Sequence, residues 1–208
     1  FDSSIEHEIL VRHLQVADAC IATLGHHINS YVVTEEPVGV IVGNHSSGMS
    51  GGYIKNPTTI INAGKKLIAN GSTAIAIVTK FPDELDNNYL GLYREGKGVD
   101  MISGVEAVIS HLISKFLKVP CAHAPALSPL QLKEDLDPRA AAEEIGFTFL
   151  PSVLMGLNKA PDLVDLPNSD RKITLLPKDV GSIVVVLLAI EDEFAIQHDP
   201  QSCPPTEC

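Results

Sequence analysis

Apolar residues recur along this chain at two periods, and the changeovers between them mark its elements. Ile5, Ile9, Val16, Cys20 and Leu24 keep the helical spacing behind Ser4, a residue suited to cap a helix, and Gly25 stands where a left-handed terminating residue is wanted. Short β-prone runs at residues 31–33 and 38–42 flank Glu35-Glu36-Pro37, so two strands are predicted. A glycine-rich stretch follows, GNHSSGMSGGYIKNP, and Thr58 or Thr59 then opens a helix that runs to about Asn70 and ends at Gly71. Residues 73–79, TAIAIVT, carry no charge and read as a strand buried on both faces, as in parallel sheets.

The second half repeats the alternation. Ile102, Val105, Ile109, Leu112, Ile113 and Phe116 lie on one face of a helix starting near Ser103, with Glu106 and Ser110 one turn apart on the same side. The short apolar run 119–122 reads as a strand broken by His123, Pro125 and Pro129. Asp137-Pro138-Arg139 is a helix start with proline in the first turn, stopped by Gly146, and residues 147–157 form an apolar helix that accommodates Pro151 at its start. Residues 172–176 read as an edge strand and 180–190 as a central one, followed by the acidic turn Glu191-Asp192-Glu193. This order of elements predicts an α/β fold, a mostly parallel or mixed sheet flanked by helices in a Rossmann-like layered sandwich. Residues 1–196 are expected to form one domain and 197–208 a flexible tail.

Composition narrows the partners. The formal charge of −11, from 15 Lys and Arg against 26 Asp and Glu, disfavours nucleic acid and anionic lipid. No apolar run approaches the roughly 20 residues of a membrane-spanning helix. Four scattered cysteines without a CxxC pair fit a reducing compartment better than a disulfide scaffold. The chain opens on Phe1-Asp2-Ser3-Ser4 and is read as a piece of a longer product.

Candidate chemistry gathers at predicted strand ends, where open α/β sheets bind ligands. Strand, glycine-rich loop and helix in succession can present bare backbone N–H groups to an anion, which makes Ser46, Ser47, Gly48, Ser50, Gly51 and Gly52 candidate contacts for a phosphate or carboxylate. The alternative is a plain connection, since the spacing fits neither dinucleotide nor Walker fingerprints. The near match GLYREGKG puts Gly98 where Ser or Thr must bind magnesium. Lys80, Arg94 and Lys97 are candidate anion contacts, against the alternative of solvated surface charges. Cys121 and His123 are a candidate nucleophile and base, against a buried core thiol, and Asp100 is a candidate acid or base, against a helix-capping role. A metal bound by Cys121 and His123, with His111, His45 or Asp100 completing the set, is a weaker alternative, and the sequence names no cofactor. The reading is of a protein that binds a small anionic metabolite, an enzyme through Cys121 and His123. The rivals are a non-catalytic assembly subunit, homo-oligomeric through the apolar helix of residues 147–157, and a metal-dependent hydrolase or lyase.

Several blocks carry a resemblance. SSGMSGG, TAIAIVTKFPD, GVDMISGVEAVISHL, VPCAHAPALSPL and DPRAAAEEIGFTFLPSVLMGL, in this order over about residues 1–162, resemble an uncharacterised family of cyanobacteria and plant plastids known as domain of unknown function 3326. The resemblance implies a chloroplast-stroma or cyanobacterial cytoplasmic location and a glycine-rich N-terminal part ahead of this chain. It brings no activity. After Ser182-Ile183-Val184-Val185 the family pattern continues with a small-residue segment containing Pro, Cys and Gly, from which VLLAIEDEF departs.

Overall fold

A computed structural model describes residues 1–164 except 45–47, 83–86, 98–99, 130 and 145–147, with side chains also left out at 44, 87–89 and 143. The strands expected at 172–176 and 180–190, the acidic turn after them and the tail lie outside the described residues. The architecture is that of the unit Phe1–Ser169. It contains helices α1 (His7–Leu24), α2 (Pro57–Ala69), α3 (Asn87–Arg94), α4 (Ser103–Leu117), α5 (Pro138–Glu143) and α6 (Leu150–Leu157). Its strands are β1 (Val40–Asn44), β2 (Ser50–Ile54), β3 (Ile75–Lys80) and β4 (Cys121–Ala126).

The fold is mixed α/β, but among the described residues the strands form two separate pairs instead of one continuous sheet: β1 with β2 antiparallel, β3 with β4 parallel. In the parallel pair Ile75 lies opposite Cys121, Ile77 opposite His123 and Lys80 opposite Ala126. Alternation along the strands then feeds two cores. Ile75 and Ile77 join Ile60 of α2 and Val105, Ile109 and Ile113 of α4, whereas Val78, Ala124 and Ala126 join Leu150 of α6 and Ile9, Leu10 and Val16 of α1. Asp2 links β3 to the start of β1. Its N–H donates to the Val78 carbonyl at 2.9 Å, and its carboxylate accepts the N–H groups of Ser4 (3.0 Å), Val38 (3.1 Å) and Lys80 (3.3 Å).

Several sequence expectations shift, each for a local reason. The first helix starts at His7 instead of after Ser4, because the Asp2 carboxylate draws Ser4 N–H into a turn and Asp2 carbonyl takes Ile5 N–H. Residues 31–33 pair with the chain start through Phe1 N–H to Val32 O (2.8 Å) and Thr34 N–H to Phe1 O (2.8 Å), and are not a strand. The fourth strand runs through His123 and Pro125. Ile75 N–H reaches Pro120 O, so even-numbered β4 residues carry the ladder and the ring of Pro125 falls on the opposite edge, which pairs with no strand among the described residues. The helix of residues 147–157, an interface only in the assembly-subunit alternative, begins at Leu150, buries Leu150 and Pro151, and packs Val153 and Leu154 into the second core.

The glycine-rich stretch is half strand. It folds back as a hairpin with Gly43 opposite Gly51 and Asn44 opposite Ser50. Its glycines admit close contact: a Cβ on Gly52 (φ 154°) would run into the Ile41 carbonyl and sit 3.1 Å from Val105 Cβ. A Cβ on Gly104 would run into the Ser50 carbonyl and stand 2.8 Å from Gly51 Cα. Helix α4 therefore lies directly on β2.

Candidate functional site

The start of α4 is fixed from two sides. Asp100 Oδ1 accepts Ile102 N–H at 3.1 Å and its carbonyl accepts the Ser103 hydroxyl at 2.8 Å, while Ser50 Oγ accepts Gly104 N–H at 2.9 Å and shares a hydrogen bond with Ser103 Oγ at 2.7 Å. Asp100 and Ser50 thus satisfy N–H groups that the helix leaves open, a capping role supplied partly from another strand. One turn on, the same side of the helix carries Glu106 and then Ser110. The helix ends at Lys118, in the left-handed conformation (φ 58°), and the chain turns back as β4 so that His123 faces that stripe.

There Ser110 Oγ is hydrogen-bonded to His123 Nδ1, and His123 Nε2 lies 3.2 Å from Glu106 Oε2. An ionised carboxylate only accepts, so Nε2 carries a proton. In the neutral ring Nδ1 is then the acceptor and the Ser110 hydroxyl the donor. The side chains are graded in depth, Glu106 being 10% exposed and His123 24%. A carboxylate buried this far is costly unless paired, and His123 supplies the pairing.

Cys121 stands two residues before His123 on β4. Burial pushes its thiol up to about 12, a hydrogen bond with Ser110 acting weakly in the other direction. It is therefore a protonated thiol at neutral pH, and the partners of His123 are Glu106 and Ser110. The signal in the sequence was the spacing of Glu106 and Ser110 by four; what the sequence could not supply was the register that brings β4 against them.

The remaining candidates fall elsewhere. Lys80, opposite Ala126 at the end of β3, forms an ion pair with Glu6 just ahead of α1, and alternation puts it on the other face of the strand pair from His123. Arg94 holds Glu144 through two nitrogens at 3.1 and 3.2 Å and the Gln131 carbonyl at 2.7 Å, tying α3 to the end of α5. Lys97 meets Glu95 at 3.4 Å, and Lys133 meets it at 3.2 Å; these two ammonium groups hold the Glu95 carboxyl below its ordinary range. Gly48 is left-handed (φ 83°), Gly51 and Gly52 are in β2, and Ser46 and Ser47 lie outside the described residues, as does His45. Among the described residues no three His, Cys, Asp or Glu side chains converge in a way that would hold a metal ion, and no helix is long and apolar enough to cross a membrane.

Comparison with known proteins adds relatives without an activity. A family model described as "Protein of unknown function (DUF3326)" matches residues 1–201. An uncharacterized lipoprotein of Synechococcus sp. is 49% identical over 189 residues, which is 91% of this chain and 52% of the relative, so the chain spans about half the length of the curated relative it matches. No solved structure matches.

Proposed function

Because the chain belongs to the DUF3326 family, whose description assigns no activity, we propose a function from its geometry: a small-molecule site between α4 and β4 in which His123 transfers a proton to or from the ligand. The observation that carries this reading is the placement of His123 between buried Glu106 and the Ser110 hydroxyl. Such an arrangement fixes the tautomer and aim of an imidazole that still reaches solvent. The ligand we propose is a small metabolite bearing a carboxylate or phosphate, held by the Ser110 hydroxyl, which can donate to it when His123 Nδ1 carries a proton and donates to Ser110 Oγ. Lys80, Arg94 and Lys97 already hold carboxylates, so they support an anionic ligand less than their sequence positions suggested. With its thiol protonated, Cys121 supports the site by packing. Cys121 opens β4 and His123 is its third residue, so the site lies in the amino-terminal half of the strand, away from the strand ends at which the sequence suggests a ligand.

The test is thermal unfolding of the purified chain with inorganic phosphate and with malonate, chloride at equal ionic strength serving as control. A rise in Tm that grows with probe concentration and disappears in His123→Ala supports the site. A rise of equal size in the variant, or none with either probe, refutes it. For location, we propose a cyanobacterial protein at a membrane surface, since the Synechococcus relative carries the label lipoprotein. Fractionation of cells into membrane and soluble pools tests this, and recovery in the soluble pool alone contradicts it.

A further inference from the structure

We propose that Ser110 is a nucleophile for acyl transfer and that the site hydrolyses a small ester or thioester; this rests on reading the α4–β4 cluster as a ligand site. The geometry has the parts such chemistry needs. Glu106 fixes the proton on Nε2, which leaves Nδ1 free to take the proton of the Ser110 hydroxyl hydrogen-bonded to it. The order of exposure matches the roles, with the carboxylate deepest and the imidazole nearer solvent. The neighbouring thiol does not compete, because burial keeps Cys121 protonated. In the first step the Ser110 oxygen bonds to the acyl carbon, its proton passes to His123 Nδ1, and the leaving alcohol or thiol departs with that proton. Water then attacks the acyl-serine, giving its proton to Nδ1, and the carboxylic acid leaves as Ser110 regains its hydrogen. Ser110 and His123 are the catalytic residues, and Glu106 is a positioning residue that acts through His123.

A fluorophosphonate–biotin probe tests the step without knowledge of the substrate, since attack by Ser110 forms a phosphorus–oxygen bond, breaks the phosphorus–fluorine bond and releases fluoride. Mass mapping of the labelled chain is expected to find the adduct on Ser110. Its rate should fall about a hundredfold in His123→Gln, and the pH profile of labelling should change in Glu106→Gln but revert toward the parent in Glu106→Asp. An unlabelled Ser110 in the folded parent chain, or equal rates in parent and a folded His123→Gln, overturns the proposal. Because the parent chain alone suffices for the first outcome, misfolding of a variant does not shield the idea. A Tm response to phosphate or malonate that persists without labelling overturns acyl transfer and leaves the ligand site standing; loss of both removes both.

Discussion

At Cys121 the chemistry expected of a thiol two residues from an imidazole gives way to the physics of burial. With its thiol at about 12, the residue should resist alkylation by iodoacetamide at pH 8 in the native chain and react readily once the chain is unfolded, as peptide mapping would report. Fast native labelling at Cys121 would contradict the structure. Glu106 and His123 should prove coupled: a double-mutant cycle through Glu106→Ala and His123→Ala is expected to return an interaction of about 1–3 kcal/mol in denaturant unfolding, since the contact between them serves a carboxylate only 10% exposed. Additive effects of the two changes would count against the pairing.

At the scale of elements, two glycines with the same freedom in sequence have opposite duties. Gly104→Ala should destabilise the chain by about 2 kcal/mol or more, because the added carbon meets Ser50 carbonyl and forces α4 off β2. Gly91→Ala, in α3 with nothing within 4 Å of the new atom, should stabilise it by about 0.5–1 kcal/mol. Urea unfolding of both variants checks the contrast. The interior of α4 was legible from its apolar spacing as far as Ile113, while Phe116, one turn beyond on the same expected face, stands 59% exposed; the buried strand β3 was legible from its unbroken apolar run. The hairpin and β4 were less so. Gly51 and Gly52 carry a loop's composition yet serve as contact surface for a helix, and His123 and Pro125 look like breakers unless the ladder's hydrogen-bonded edge is known. Capping of α4 by Ser50, 53 or 54 residues away, belongs to the tertiary fold and leaves no local trace in the sequence.

For the whole molecule, His13 and Cys121 act on stability from opposite ends of the pH scale. His13, 1% exposed with Nδ1 on Ile9 O at 2.8 Å, is held below its ordinary 6.5 chiefly by burial, so the unfolded chain takes up its proton first and stability falls as pH drops below about 6.5. Cys121 is raised from 9.0 to about 12, so the unfolded chain loses its proton first and stability falls as pH rises from about 9 toward 12, by at most about 1.4 kcal/mol per pH unit. In chemical denaturation across pH the acid side should also carry the Phe1 ammonium, which burial lowers from 8.0 to about 6, so that stability already declines as pH falls below about 8. Cys121→Ala should reduce the alkaline slope, leaving the share of Cys20, whose thiol burial also raises, and should leave the acid side; an unchanged alkaline slope in that variant would assign the loss to other groups.

The left-handed turn at Lys118 has a kinetic meaning as well. It brings Ser110 and His123 together across only 13 residues, whereas the carboxylate of Asp2 must find Lys80 across 78. Closing the longer loop costs roughly 1.6 kcal/mol more chain entropy on logarithmic scaling with length. A full-length chain refolding from denaturant can thus assemble the α4–β4 cluster from one short stretch of its own length at less entropic cost than the tie between β3 and the chain start.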